Sequence, residues 1–247
     1  MATPSAPASS SGRQSQFAAT RWSMILAAGN WRAGTAGHLA MGELAKAYWF
    51  PLYAYLRRQG NAPAEAEDLV QGFFTRLLEK DALAAVDRSK GKFRSFLLAS
   101  LKNFVTNEWD KRHAAKVGGA REMLSLDTMD AETRYAAEPV DQMTCERVFE
   151  RRWALTVLDQ VLARLHDDYA GRGQGQVFAA LEPLLVGTSQ TTHAQVAAGL
   201  GMTEAAVKAA AHRLRRRYRE LLREEIAQTV GDPALVDDEI HQLLGSL

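Results

Sequence analysis

Seven Lys or Arg and only two Glu lie between Thr203 and Arg223. Gathered on one face of a helix, such side chains neutralise phosphates and donate hydrogen bonds to the acceptor edges of bases. The spacing around them fits a helix pair built to present that face. Counted from His193, Ala197 is fifth, Gly201 ninth and Val207 fifteenth in HAQVAAGLGMTEAAVKAAAHRLRRRYRELL. A helix-turn-helix needs a small fifth residue for close approach, a ninth that turns with positive φ, and an apolar fifteenth. Thr203 is placed to cap the second helix. Val207, Leu214 and Tyr218 fall on one side, leaving Lys208, His212, Arg213, Arg215 and Arg216 largely outward. The competing account is an amphipathic hairpin with a solvated basic face. Spacing, cap and charge together favour a pair that reads DNA.

A second basic island runs from residue 88 to residue 116, with eight basic and two acidic residues. Lys92, Arg94, Lys111 and Arg112 supply cations, Asn103 and Asn107 supply amides, and Phe96 and Trp109 supply aromatic rings. Cations bind phosphate, amides reach base edges, and exposed rings stack on unpaired bases. Taken singly, Phe93, Phe96 and Trp109 read as core residues. The basic flanks favour a nucleic-acid role for the group. The formal net charge of +1 thus hides two basic islands on an acidic body, a pattern for two polyanion contacts and a further partner surface.

The elements that carry these islands are helical. A stripe of Met41, Leu44, Tyr48, Leu52, Tyr55 and Leu56 predicts a helix over 39–58, kinked at Pro51. Asn61 and Pro63 open a second helix over 64–80. Its inner face is Leu69, Val70, Phe73, Phe74, Leu77 and Leu78, and its outer face includes Glu67, Asp68 and Gln71. A third helix spans 93–115. The polar stretch 118–143 reads as a linker. Thr144 caps the next helix, GRGQG at 171–175 ends it, and a further helix over 176–186 leads into the helix-turn-helix. Arg21–Ala28 reads as a short helix folded on the first domain, and the acidic segment after Thr229 as one more short helix. No run alternates like a strand.

Composition bounds the function class. At 247 residues the chain holds one large domain or two small ones. The start, MATPSAPASSSGRQSQ, reads as a disordered tail over 1–19 and not as a signal peptide. No apolar run approaches bilayer length, so no membrane contact is expected. One cysteine, Cys145, excludes an internal disulfide and a Cys-based zinc site, and fits a cytoplasmic setting. There is no nucleotide-binding glycine loop, and no cofactor is expected. His166-Asp167-Asp168 has no second His/Asp cluster to complete a metal site. Chemistry on nucleic acid needs carboxylates or metal ligands converging in a cleft, and no spaced set is present, so the chain reads as a non-enzyme.

The order of the blocks resembles an extracytoplasmic-function (ECF) sigma factor of the sigma-70 family. YWFPLYAYLRRQG followed by AEAEDLVQGFFTRLLEK is similar to the start of that family's region 2. GKFRSFLLASLKNFVTNEWDKRHAAK resembles its promoter-melting, minus-ten-reading helix, and the helix-turn-helix resembles its region 4. The resemblance implies an all-α chain of two small helical domains, region 2 over 20–117 and region 4 over 144–228. The linker at 118–143 joins them, and an acidic extension follows at 229–247. Core RNA polymerase and promoter DNA are the implied partners, with room for an anti-sigma factor. Glu67, Asp68 and Gln71 would face the polymerase clamp. Lys92, Arg94, Phe96, Asn103, Asn107, Trp109, Lys111 and Arg112 would meet the minus-ten element. Thr203, Glu204, Lys208, His212, Arg213, Arg215 and Arg216 would meet the minus-thirty-five element. Two positions depart from the family pattern: Gly72 stands where an acid is usual, and Asn107 where Asp is common. The alternative reading, a stand-alone helix-turn-helix regulator, explains 193–222 but leaves the 88–116 island and the EDLVQ face without a role.

Overall fold

A computed structural model of the chain describes residues 25, 28–29, 34–79, 83, 86–87, 91–114, 129–136, 143–187 and 191–247. These residues form α1 (Thr35–Arg58), α2 (Pro63–Glu79), α3 (Phe93–Ala114), α4 (Met129–Ala136), α5 (Cys145–Ala170), α6 (Gly175–Val186), α7 (His193–Leu200), α8 (Glu204–Ala227) and α9 (Val236–Gly245). A 3-10 turn at Pro233–Leu235 precedes α9. The fold is all-α, and the described residues contain no strand. The expected tail at 1–19 lies outside them.

α1 is the central post. Its sequence predicts one buried stripe, yet every residue from Ala47 to Leu56 is buried. Tyr48, Leu52 and Leu56 belong to the stripe, while Trp49, Phe50 and Tyr53 point elsewhere around the helix and are buried too. A helix apolar all round must be enclosed. α2 packs on α1, α3 packs on α2, and α5 lies along α1 in the most extensive helix–helix contact among the described residues. Tyr48 meets Phe93 of α3 edge to face at 5.6 Å, and Trp49 stacks on Tyr53 at 5.2 Å. The helix runs through Pro51 without a break.

One apolar core therefore reaches from Ile25 to Leu243, drawing on both of the spans expected as domains. Ile25 and Ala28 are helical and buried in it; the rest of the expected helix over 21–28 lies outside the described residues. Trp153, Val157, Val161 and Leu165 give α5 its apolar side, and α5 also packs on α6 and α8.

Within the span read as linker, 118–143, residues 129–136 form helix α4, docked on α1. Ala131 is buried, and Glu132 holds α4 in place. Its Oε1 accepts from Arg57 Nη2 at 2.7 Å, while its Oε2 accepts from Arg57 Nε at 2.9 Å and from Tyr53 Oη at 2.6 Å. Such a two-point guanidinium–carboxylate pair fixes orientation as well as attraction.

The C-terminal helices begin where capping residues permit. Thr144 Oγ1 accepts from the Arg147 amide, and Thr192 with Gln195 forms a reciprocal capping box on α7. α7 ends at Gly201 with φ 64°, the left-handed value glycine adopts without a Cβ penalty. The Thr203 hydroxyl then accepts from the Ala206 amide at 3.2 Å to start α8. Ala197 and Val207 are buried between the two helices.

Candidate nucleic-acid interface

α8 presents its charge as its periodicity demands. Val207, Ala210, Ala211 and Leu214 are buried, so Lys208, His212, Arg213 and Arg216 are exposed. Thr203 and Glu204 are exposed at its start, and Glu204 forms an ion pair with Lys208 at 2.7 Å, one turn away. Arg215 departs from the expected outward set. It is half-buried, and its guanidinium donates to the Leu184 carbonyl at 2.8 Å, tying α8 to α6. Arg217 is likewise engaged, by Asp168 at 3.0 Å. The outward cations thus reduce to Lys208, Arg213, Arg216 and Arg219, with His212 among them, and Arg223, which pairs with Asp237.

α3 divides along its length. Its exposed side carries Lys102, Asn103, Thr106, Asn107 and Trp109. Asn103 and Asn107 are one turn apart, and the Asn107 amide donates to the Asn103 carbonyl at 2.7 Å. That bond leaves the side-chain oxygen of Asn107 and the whole Asn103 amide facing outward. Trp109 is 63% exposed, unusual for a large apolar ring and suited to stacking. Lys102, not singled out in the sequence, stands on this face and pairs with Glu146 of α5 at 2.7 Å. Residues 111 and 112 lie in α3, but their side chains fall outside the described residues.

The N-terminal end of α3 is different, and Arg94 lies on its buried side. Only 5% of Arg94 is exposed, so it offers nothing to an external partner in this conformation. Its Nε donates to Glu150 of α5 at 2.7 Å, its Nη1 donates to Glu239 of α9, and its guanidinium lies 4.2 Å from the Trp153 ring centroid. Burial opposes the charge, but the two carboxylates outweigh it and hold the pKa above its ordinary value. Lys92 is also engaged, by Glu239 at 2.5 Å and by Gln242. Phe96 is half-buried beside Phe93, with ring centroids 5.9 Å apart, so it reads as packing. Sequence reasoning missed Glu150, Glu239 and Gln242. The signal for the last two was the spacing of Val236, Ile240 and Leu243, which gives the acidic tail one apolar side and brings Glu239 onto it.

On α2, Asp68 is exposed and Glu67 and Gln71 are half-buried, while Leu69, Val70, Phe73 and Phe74 are buried. Burial, then the neighbouring Asp68 and Glu132, push the Glu67 carboxyl above its ordinary range. The outward face of α2 is therefore acidic and lies within reach of α4. Gly72 is buried, so the position where an acid is usual in the family pattern faces the core here.

Among the described residues no three His, Cys, Asp or Glu come together as a metal site, and no helix is long and apolar enough to cross a membrane. Neither the curated proteins nor the solved structures give a match to the chain. Residues 44–114, from within α1 to the end of α3, match the family model described as Sigma-70 region 2.

Proposed function

We propose that this chain is a sigma factor of the ECF kind, which binds core RNA polymerase and directs initiation at promoters by reading minus-ten and minus-thirty-five elements. The observation that carries the reading is the match over 44–114 falling on helices whose exposed sides suit the two partners. α2 offers Glu67, Asp68 and Gln71 to polymerase, and α3 offers Asn103, Asn107 and Trp109 to DNA. Further support comes from α7 and α8, joined through Gly201 and Thr203, with Lys208, His212, Arg213 and Arg216 exposed where a recognition helix meets the major groove.

Competition for core polymerase tests the polymerase half and separates this reading from a stand-alone regulator. The chain should compete with another sigma factor for core enzyme. Asp68→Ala with Gln71→Ala should weaken that competition while leaving the helical content intact, since neither side chain belongs to the core. Failure of the unaltered chain to bind core polymerase would sink the reading.

A further inference from the structure

Lys92 and Arg94 sit where a region 2 helix would begin its contact with DNA, yet the chain's own C-terminal helix occupies them. Glu239 of α9 is 1% exposed and uses its two carboxylate oxygens separately: Oε1 for Arg94 and Oε2 for Lys92. Gln242, one turn on, accepts from the same Lys92. Two cations thus meet one carboxylate, each at its own oxygen, as they would meet the anionic oxygens of a phosphate. Beside the contact lies an open cleft of about 550 Å³, bordered by Lys92, Arg94, Ser95, Arg147, Glu150 and Gln242. Three cations thus meet two carboxylates here, Glu150 and Glu239, and only Glu239 arrives on a detachable element.

α9 is suited to come off. It has ten residues, too few to be stable as a helix away from the body. Its apolar attachment rests on Val236 and Leu243 with the half-buried Ile240, while Leu244 and Leu247 remain exposed. A further polar tie, Arg223 to Asp237, lies on the surface, where ion pairs contribute little. Its first turn carries Asp237, Asp238 and Glu239.

We propose that α9 is an autoinhibitory strap: Glu239 stands in for a nucleic-acid phosphate and withholds Lys92, and with it the cleft at the start of α3, until α9 is displaced. The proposal rests on the promoter-reading role above. Arg94 keeps Glu150 after release, so about one cation is freed for DNA.

The test is binding of the full-length chain to fluorescent double- and single-stranded DNA over a series of salt concentrations, with folding followed by circular dichroism. Glu239→Gln should bind about three- to tenfold tighter at low salt. Its plot of log K against log salt should steepen by about one unit, the signature of one added phosphate contact. Adding Lys92→Ala to that variant should cancel both changes. Should Glu239→Gln fail to fold, Asp237→Asn with Gln242→Ala loosens α9 through exposed contacts alone, and must shift affinity and slope in the same direction. A folded variant with unaltered affinity and slope overturns the strap and reduces Glu239 to a structural ion. Absence of DNA binding by every variant at low salt would instead overturn the promoter reading.

Discussion

Arg94 and Glu239 stand 145 positions apart in the chain and meet inside the protein, their side chains 5% and 1% exposed. Their pairing joins the third helix to the last, and through Glu150 it also reaches α5. A buried ion pair contributes little stability by existing, because both charges were dehydrated to make it. Breaking it is another matter. Arg94→Ala leaves Glu239 and Glu150 facing each other with only Lys92 and Arg147 nearby. It should cost on the order of 3–5 kcal/mol in urea unfolding. Arg94→Ala combined with Glu239→Leu should cost markedly less. Equal destabilisation of the single and double variants would show that the pair is not coupled.

Glu132 gives a pH dependence with a definite sign. Its hydrogen bonds from Arg57, and then Tyr53, outweigh burial and hold its carboxyl below the ordinary value of 4.5. A depressed carboxylate contributes stability that is present above 4.5 and lost as pH falls through the lower folded value. Docking of α4 should therefore persist near neutrality and weaken below about pH 4.5. Glu67 works in the opposite sense, since its pKa is raised, so global stability would blend the two. Hydrogen exchange at 131–136 isolates α4. Protection there should collapse on acidification, and Glu132→Gln should expose the segment at neutral pH. Constant protection from pH 7 to pH 3.5 would contradict the assignment.

The docked α4 also limits how far α3 and α8 can part. Promoter elements about two helical turns apart lie on the order of 70 Å from each other. A globule of this size is only about 45 Å across. With α4 in place, the tether from Ala136 to Cys145 is residues 137–144, which extend to about 28 Å at most. Released, the chain from 115 to 144 can reach about 100 Å. If α3 and α8 engage those two elements, as proposed, α5 must leave α1. Dyes on Thr106→Cys and Arg219→Cys, with Cys145→Ser, should transfer energy efficiently in the free protein. Transfer should fall sharply on core polymerase with promoter DNA. Undiminished transfer in an initiating complex would contradict the opening.

Much of the fold is legible in residue spacing, and the exceptions share a cause. The α7–α8 turn follows from local chemistry: Gly201 turns, Thr203 caps, and Val207 anchors, each within a few residues of its partner. The buried side of α2 is equally plain from Leu69, Val70, Phe73 and Phe74. What spacing does not supply is which distant surface meets which. Trp49, Phe50 and Tyr53 form a second aromatic side of α1, but their partners lie about eighty to a hundred residues on: Arg134 of α4 and Arg152 of α5 lie over Phe50, and Glu132 of α4 accepts from Tyr53. Arg94 resembles one more cation in a basic island. Its burial depends on Glu150 and Glu239, neither of which is near it in sequence. Glu132 sits in a polar stretch whose short helix is too brief to hold alone and forms against Arg57 and Tyr53.

Run-off transcription from a pool of genomic promoter fragments tests the central claim most directly. Core polymerase supplemented with this chain should produce discrete transcripts that core polymerase alone does not make. Asn103→Ala with Asn107→Ala should abolish them. Lys208→Ala with Arg213→Ala should reduce them by an amount equivalent to about 1–3 kcal/mol for each base that the helix no longer reads. A chain that binds core polymerase yet yields no transcript of its own across the pool would contradict the account.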